Sequence, residues 1–517
     1  MREYIIRQGI ITKDILGQAV SEHFNISYGK TDLNAISQEV LALIPEAISK
    51  KHRIFAFSHK EEVVSIGTDD PRLQDDLSLK KMFGGKKLLF YYFFPEDVDS
   101  ILHANKQKLE IRFAKLLATG KVAGPTIVEE ILGDAVMYNA SDVHFEPNES
   151  GVRVRFRIDG QLKEMLTLPT DTYQGVLRVI KNRAGLATDE HQKAQDGAIR
   201  LHRDNVSIDL RISIIPAIDG EKVVIRILAE YVKNLSFESL GMSAENEAML
   251  MKIAKNPFGL ILTVGPTGSG KTTTLYSLIR ALNKPEINIT TIEDPIEYKV
   301  EGVNHIQVNE KADLTFTKAL RSIVRQDPNI IFVGEIRDRD TAEIAANAAL
   351  TGHLVLSTFH ANDAATAFPR LLDMGIEPFL LSSTLEMVVG QRLVRKICKS
   401  CRYSEDVKIP ELKKTFDMAD AYFSEKQVTL YRGKGCDNCN NTGYSGRIGI
   451  YELVFSTPEL QSLLLKSPST SEVWSMAKKQ GAKSMFEDGL VKVRNGVTTL
   501  DELLRVAKPT PSDIYKK

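Results

Sequence analysis

The segment that most restricts the fold of this chain is a glycine-rich run, GPTGSGKT, from Gly265 to Thr272. It matches the phosphate-loop pattern at every fixed position of that pattern. The apolar run LILTV precedes it and the run TTTLYSLIRAL follows it, which predicts a strand, a loop and a helix in that order. Backbone N–H groups of such a loop surround phosphate oxygens, Lys271 would contact the β- and γ-phosphates, and Thr272 would hold Mg²⁺. The predicted nucleotide-binding residues of this segment are Gly265, Pro266, Thr267, Gly268, Ser269, Gly270, Lys271, Thr272 and Thr273.

Strand and helix patterns alternate around this loop, between residues 240 and 395. The β-branched runs LILTV, NITTI, NIIFV and HLVLST are separated by helix-forming segments, which is typical of a parallel sheet with crossover helices. Polar residues follow three of these strands: Glu293, Glu335 and His360. Taken singly, each also fits an ordinary turn or loop. Because ligands bind at the carboxyl ends of parallel strands, we expect the three to converge beside the loop, where a carboxylate polarises water and His360 contacts the γ-phosphate.

Arginines form the next group of candidate site residues. Arg211 in DLRIS and Arg226 in VIRIL lie on two predicted strands that precede the phosphate loop. When chains assemble into a ring, such arginines can act in trans on the γ-phosphate of a neighbour. Arg321 and Arg325 are four residues apart in ALRSIVRQDP, so a helix would direct them to one side. The alternative is that all four are solvated surface residues.

All four cysteines of the chain occur in two Cys-x-x-Cys pairs, Cys398 with Cys401 and Cys436 with Cys439. Two such pairs suit a closed tetrahedral Zn²⁺ site that stabilises the fold and leaves no open position for catalysis. Two redox-active pairs or four free thiols are the alternatives.

Charge and hydropathy indicate where the protein is located and which classes of partner it binds. Lysine plus arginine and aspartate plus glutamate are equal at 67 each, so no overall field favours nucleic acid, and no direct nucleic-acid contact is expected. The start, MREYIIRQGIITKDIL, contains no continuous apolar signal region, and the most apolar runs are far too short to cross a membrane. These observations predict a cytoplasmic protein.

Length and pattern changes along the chain predict several domains. Strand-like runs with Gly-containing turns make the second region β-rich, and a charged, helix-forming insert separates the two cysteine pairs. The predicted divisions are 1–106, a small N-terminal docking or regulatory module; 107–235, a β-rich domain that supplies arginines; 236–395, the nucleotide-binding core; 396–445, the tetracysteine segment; and 446–517, a helical C-terminal region.

Four segments of this chain resemble a known set of motifs. They are GPTGSGKTTTLY, TIEDPIEY, RSIVRQDPNIIFVGEIRD and TGHLVLSTFHAND, and they resemble, in that order, the Walker A, Asp box, Walker B and His box of the secretion ATPase superfamily, which serves type II secretion and type IV pilus assembly. The runs SDVHFEP, RVRFRIDG and GEKVVIRIL are similar to the domain before this motor, and GCDNCNNTGYSGRIGIYEL is similar to its metal-binding segment. The resemblance covers about residues 125–505.

The resemblance implies an α/β protein with a RecA-like P-loop motor domain. A PAS-like, β-rich α/β domain would precede it, with a small N-terminal α/β module, a tetracysteine zinc insert and a helical C-terminal region. It also implies a homohexamer that hydrolyses ATP with Mg²⁺ between the two domains and passes domain rotations to an inner-membrane platform protein, so that pilin or pseudopilin subunits are added to a fibre. The protein would be cytoplasmic, held at the inner membrane through partners, one of which docks on the N-terminal module.

Roles for individual residues also follow from the resemblance. Glu293 lies in the Asp box, Glu335 in the Walker B and His360 in the His box, while Arg211, Arg226, Arg321 and Arg325 occupy positions where family members place arginines near the phosphates. Glu335 is the favoured general base and Glu293 the alternative. The tetracysteine segment favours an assembly or secretion motor over a retraction or DNA-transfer ATPase of the same superfamily. A nucleotide-gated scaffold with little turnover is the alternative from another class of protein. The cyclic di-GMP motif of some relatives is not evident, so regulation by that nucleotide is not expected.

Overall fold

The computed structural model describes residues 12–29, 36–41, 43–60, 62–76, 83, 86–104, 124–203, 206–228, 236–436 and 439–509. These residues form two compact units. The first comprises the described residues up to Tyr138 with the segments 165–179 and 436–441, and the second comprises the others. Within the described part of the chain, no helix is long and apolar enough to cross a membrane.

The N-terminal part of the first unit is a small α/β module, as predicted. Its four strands form a sheet in the order β1-β4-β3-β2, in which β3 and β4 are parallel and β2 and β3 antiparallel. Buried aromatic rings pack between the sheet and its helices, with the ring centroids of Phe55 and Phe93 5.1 Å apart. The strands are β1 (Ser27–Tyr28), β2 (Ile54–Lys60), β3 (Val63–Thr68) and β4 (Lys87–Tyr92), and the helices of this unit's N-terminal part are Lys13–His23, Gln38–Leu41, Glu46–His52, Pro95–Ala104 and Gly124–Met137.

A six-stranded sheet forms the β-rich domain, in the order β7-β6-β5-β10-β9-β8. Side chains alternate along its strands, so that Val152, Val154 and Phe156 of β6 are buried. The arginines between them lie on the opposite face, where the guanidinium of Arg155 bonds Glu146 on the neighbouring strand at 2.8 Å. The elements are β5 (Asp142–Asn148), β6 (Gly151–Ile158), β7 (Gln161–Leu168), helix Thr170–Ala184, β8 (Gln195–Arg203), β9 (Val206–Ala217) and β10 (Gly220–Leu228).

The motor domain is built on a seven-stranded sheet in the order β13-β12-β14-β15-β11-β16-β19. The first six strands in that order are parallel to their neighbours, as predicted for this core, and β19 pairs antiparallel to β16. Every residue of β11 is buried, because its neighbours β15 and β16 cover both edges and helices cover the faces. The strands are β11 (Gly259–Val264), β12 (Ile289–Glu293), β13 (Asn304–Gln307), β14 (Ile330–Ile336), β15 (Leu354–Phe359), β16 (Leu385–Ile397) and β19 (Tyr444–Phe455).

Helices pack on both faces of this sheet and continue into the C-terminal region. That region is helical from Pro458 to Val506, as predicted, although its first residues belong to strand β19. The helices are Phe237–Leu240, Ala244–Ile253, Lys271–Leu282, Phe316–Ile323, Arg339–Leu350, Ala364–Asp373, Pro378–Thr384, Pro458–Leu464, Thr470–Lys479, Met485–Arg494 and Leu500–Val506.

The insert between the cysteine pairs differs from its prediction. It was expected to be helix-forming, but its main elements are the antiparallel strands β17 (Arg402–Lys408) and β18 (Gln427–Gly433). Only two four-residue helices, Ile409–Leu412 and Ala419–Tyr422, lie between them. Exposed residues alternate with half-buried ones along β17, which is the period of a strand and not of a helix. The domain boundaries remain predictions.

Candidate functional site

The phosphate loop connects β11 to helix Lys271–Leu282, in the predicted strand, loop and helix setting. Gly270, at the start of the helix, has a φ of 85°, a conformation that side chains other than glycine rarely adopt. The helix has no side-chain cap there, so the N–H groups of its first turn are available to an anion. Gly265 is also required, because a Cβ atom there would lie 2.3 Å from the carbonyl oxygen of Gln391. The loop therefore has the shape and the donors that phosphate binding needs.

The side chain of Lys271 lies within this loop. Its Nζ donates to the carbonyl oxygens of Gly265 at 2.8 Å and Pro266 at 3.2 Å. Burial lowers the pKa of this ammonium group, and the negative charge of Glu335 opposes that shift. The nearby Ser269 Oγ is buried and has no hydrogen-bond partner among the described residues. A desolvated cation and a vacant hydroxyl donor fit a bound phosphate group.

The other predicted residues of the loop occupy its tip and the start of the helix. Pro266, Thr267 and Gly268 are exposed at the tip, and Thr272 and Thr273 are half-buried in the first helical turn. Thr272 thus follows Lys271 directly in the first helical turn, the position from which a hydroxyl would hold a phosphate-bound Mg²⁺.

Glu335 and His360 come together, as the parallel-strand argument predicted. His360 Nε2 lies 3.3 Å from Glu335 Oε2, and Arg337 contacts Glu335 Oε1 through its Nη2. Burial alone would raise the pKa of Glu335, but Arg337 and His360 lower it below its ordinary value, so the carboxylate is ionised at neutral pH. Arg337 also lies 3.7 Å from Asp294 Oδ2. The sequence reasoning missed Arg337, although its position two residues after Glu335 was a usable signal.

Glu293 is placed differently from Glu335. It is only 2% exposed, and Tyr276 Oη donates to its Oε2 at 2.7 Å. Its other oxygen, Oε1, accepts a hydrogen bond from Thr291 Oγ1 at 2.8 Å and lies 3.2 Å from Nδ1 of His305. Both carboxylate oxygens are thus occupied inside the protein, whereas the side chain of Glu335 is 19% exposed. The geometry favours Glu335 over Glu293 as the residue that meets a water molecule.

The structure brings one of the four predicted arginines to the Asp box. Arg211 Nη2 donates to the carbonyl oxygen of Ile296 at 2.8 Å and lies 3.6 Å from Glu297 Oε2, both in the same chain. Arg226 instead donates to Asp142 Oδ1 at 3.1 Å. Burial raises the pKa of Glu297, and the charges of Arg211 and Arg226 oppose this.

Arg321 and Arg325 are not brought to the phosphate loop. Arg325 donates to the carbonyl oxygen of Arg321 at 2.8 Å and lies 3.4 Å from Ser322 Oγ, so its bonds in the described part of the chain are local. Both side chains are exposed. Their predicted contact with phosphates remains a prediction.

A cationic cavity of about 270 Å³ lies beside the phosphate loop and was not predicted. The carboxylate of Glu502, which lines this cavity, is buried. Burial raises the pKa of this carboxyl group, but hydrogen bonds from Arg505 and Arg395 outweigh that effect and lower the pKa to about 2. Because arginines outnumber carboxylates along its wall, the cavity suits an anionic ligand. The lining residues are Asp159, Gly160, Gln161, Pro266, Thr267, Gly268, Ser269, Arg392, Leu393, Arg395, Arg447, Glu502, Arg505 and Val506.

The four cysteines meet, as their spacing predicted. The sulfur atoms of Cys398, Cys401, Cys436 and Cys439 all lie within 4.8 Å of one another, and those of Cys436 and Cys439 are 3.7 Å apart. Four thiolates bound to one Zn²⁺ at 2.3 Å would be separated by about 3.8 Å. The donor set and its spacing therefore fit a tetrahedral metal site.

Comparisons with known proteins agree with this geometry. The family model described as "Type II/IV secretion system protein" matches residues 119–505. The type IV pilus assembly ATPase PilB of Thermus thermophilus is 35% identical over 523 residues, which cover 98% of this chain and 58% of that protein. The type II secretion system protein E of Pseudomonas aeruginosa is 45% identical over 382 residues, which cover 74% of this chain and 75% of that protein. The chain thus spans less than two thirds of the length of the Thermus relative.

Solved structures confirm the α/β motor fold. The crystal structure of the pilus retraction motor PilT with bound ADP matches with a TM-score of 0.52 and 26% identity, covering 77% of this chain and 100% of that one. This structural match and the family match over most of the chain together confirm the motif resemblance. The chain belongs to the type II/IV secretion system protein family.

Proposed function

We propose that this chain hydrolyses ATP at the phosphate loop and uses the energy to drive pilin or pseudopilin assembly at the inner membrane. The observation that carries this proposal is the convergence of an ionised Glu335 and His360 in the same motor domain as the desolvated Lys271. A buried cation for phosphate and an ionised carboxylate for water are the two groups that ATP hydrolysis requires. Two relatives, one named as a type IV pilus assembly ATPase and one as a type II secretion system protein E, support the assignment.

Each group of the site has a distinct task in this proposal. The first-turn N–H groups and Lys271 bind the phosphates and neutralise charge that develops on them. Mg²⁺, which Thr272 would hold, supplies further charge neutralisation when bound. Glu335 accepts the proton of the attacking water, while His360 orients that carboxylate and contacts the γ-phosphate. Arg337 must release Glu335 for this step, because a carboxylate in an ion pair is a weaker base.

The cationic cavity gives the rest of the nucleotide a place to lie. It borders the loop at Pro266–Ser269 and carries four arginines on its wall. We assign it to the sugar and α-phosphate end of ATP, where guanidinium groups bind anionic oxygens well. Arg211, on the β-rich domain, then approaches the same nucleotide through the segment that follows Glu293.

The assembly is proposed from the relatives. A homohexamer would carry ATP between its two larger domains and transmit their rotation to a platform protein in the inner membrane. The N-terminal module would bind a docking partner, which keeps the cytoplasmic motor at the membrane. No direct nucleic-acid contact belongs to this proposal.

Deleting the gene in its host and complementing with variants tests the function. An assembly or secretion motor predicts loss of the fibre or of the secreted protein, restored by the wild-type chain and not by Lys271→Ala. Excess fibre after deletion would instead identify a retraction motor. Restoration by Lys271→Ala would identify a nucleotide-gated scaffold, and both results would contradict the proposal.

The purified protein is expected to carry about one zinc ion per chain at the four cysteines. Chelation should lower the melting temperature, because a structural zinc site contributes folding free energy. Elemental analysis of protein prepared without chelator measures the zinc content. The double variant Cys398→Ser, Cys401→Ser should contain no zinc. A metal-free preparation with an unchanged melting temperature would contradict the site.

Replacing Arg211 or Arg226 with Ala is expected to lower kcat more than nucleotide affinity, because an arginine near developing charge acts mainly on the transition state. Lysine should restore the rate only in part, since it lacks the planar fork. Mixed hexamers show whether the arginine acts on the nucleotide of its own chain or on that of a neighbouring chain. Lys271→Ala chains combined with Arg211→Ala chains regain activity only if the arginine acts in trans. The contact of Arg211 with Ile296 of its own chain favours no recovery. Normal turnover by both arginine variants in stable hexamers would reject the role.

A further inference from the structure

A buried polar network lies behind the phosphate loop and has no task in the mechanism above. Its members are Tyr276, Glu293 and His305, with side-chain exposures of 3% for Glu293 and 6% for His305. Within the described part of the chain, Glu293 has no lysine or arginine partner. A buried carboxylate without a cationic partner is costly to maintain, and apolar residues of similar size would fill the same space more stably. The network therefore calls for an explanation beyond packing.

The hydrogen bonds fix the protonation pattern of His305. The backbone N–H of Val300 donates to Nε2 of His305 at 3.0 Å, so Nε2 carries no proton. The proton of a neutral His305 then resides on Nδ1, which lies 3.2 Å from Glu293 Oε1 and 3.0 Å from Thr291 Oγ1. His305 thus accepts a bond from the loop on one side and donates toward the carboxylate on the other.

The network joins three parts of the motor domain. Tyr276 belongs to helix Lys271–Leu282, five residues after the phosphate-binding lysine, and donates to Glu293 at the end of β12. His305, on β13, joins Glu293 to Val300 in the loop 294–303. The same loop accepts the hydrogen bond of Arg211 at Ile296. A path of side-chain hydrogen bonds and loop backbone therefore runs from the phosphate-binding helix to the arginine of the β-rich domain.

We propose that Tyr276 and His305 are positioning residues that hold Glu293 and the loop 294–303 in register with the phosphate-binding helix. The loop then presents Ile296 to Arg211 in a conformation that follows the helix, and nucleotide binding is communicated to the β-rich domain through it. This inference rests on the proposed ATPase function. It assigns Glu293 to orientation, and not to proton transfer.

Substitutions at His305 test its bond from the Val300 N–H group and its contact with Glu293 separately. The Asn side chain can place an N–H group near Nδ1, the Gln side chain can place an acceptor near Nε2, and Phe can do neither. For His305→Phe we expect kcat to fall about 10- to 100-fold, the scale of a small misplacement, with KM for ATP changed less than about threefold. His305→Asn and His305→Gln should each recover part of the loss. A role confined to stability would lower the amount of folded protein without this split between kcat and KM.

Tyr276→Phe provides a second variant that preserves the ring and its packing. It removes the hydroxyl that donates to Glu293, and we expect kcat to fall again while KM for ATP stays nearly unchanged. The matched control is Tyr28→Phe, which likewise removes a tyrosine hydroxyl that donates to a carboxylate, here that of Asp14 in the N-terminal module. The control should retain wild-type turnover.

Hydrogen exchange reads the network without any turnover. In the nucleotide-free protein, His305→Phe should speed exchange at the Val300 amide, and His305→Gln should not. Adding a non-hydrolysable ATP analogue with magnesium should change exchange across 294–303 in the wild type and have little effect there in Tyr276→Phe. Normal kcat in folded His305→Phe, or an equal response of loop 294–303 to the analogue in all variants, would overturn the inference. Absence of phosphate release by the wild type would instead contradict the ATPase proposal, and the exchange response would still decide the inference.

Discussion

Lys271→Ala is expected to abolish ATP turnover and to weaken ATP binding strongly. The substitution removes the ammonium group that lies inside the phosphate loop, where it already bonds the carbonyl oxygens of Gly265 and Pro266. Burial lowers the pKa of Lys271, so its charge is poorly solvated and gains more from a phosphate partner than a surface lysine would. Phosphate release and the affinity for a fluorescent ATP analogue measure the two effects.

The fold should survive this change, because glycines with positive φ, among them Gly265 and Gly270, still determine the backbone conformation of the loop. Lys271→Arg is the informative control, since it keeps the charge but cannot fit the same buried position. Both variants should elute as the wild type does in size-exclusion chromatography. Phosphate release by Lys271→Ala at more than a few per cent of the wild-type rate would place the reaction outside this loop.

Glu335→Gln is expected to lower kcat by at least ~10²-fold, the scale of general-base catalysis, while ATP still binds. The amide has the size of the carboxylate but cannot accept the proton of the attacking water. The hydrogen bond to His360 and the contact with Arg337 can persist in part, so local packing should change little. Single-turnover phosphate release, combined with a nucleotide-binding assay, separates the chemical step from affinity.

Glu293→Gln is the matched control for this variant. Its carboxylate is buried against Tyr276 and Thr291, so its loss should act through positioning and reduce the rate less than Glu335→Gln does. Wild-type turnover by Glu335→Gln, together with loss of turnover in Glu293→Gln, would transfer the general-base role to Glu293.

The sequence predicted those features that depend on local pattern or on a general rule of parallel sheets. The phosphate loop needs only glycines, a lysine and a hydroxyl at fixed spacing. The meeting of Glu335 with His360 follows from the shared edge at which parallel strands end. The cysteine cluster follows from two pairs of matched spacing. Each of these features could be predicted from a short stretch of sequence or from one general rule of protein structure.

Other features depend on the assembled fold and could not be predicted in the same way. Strand β16 was not predicted, because its apolar and polar residues do not alternate, and a pattern without alternation fits strand or helix equally well. The cavity arginines Arg392, Arg447 and Arg505 come from distant parts of the sequence. Successive side chains of a strand point to opposite faces, and the sequence did not show which face each glutamate takes: Glu293, the last residue of β12, is 2% exposed, whereas the side chain of Glu335, inside β14, is 19% exposed.

The ATPase proposal can be tested by the rate of phosphate release from the purified wild-type chain with ATP and Mg²⁺, measured across protein concentration. The ATPase proposal predicts sustained turnover that rises more steeply than linearly through the range in which hexamers form, because the proposed domain rotations take place within the hexamer. Stable hexamers that bind ATP and release no phosphate above the uncatalysed background would contradict it and leave a nucleotide-gated scaffold as the function.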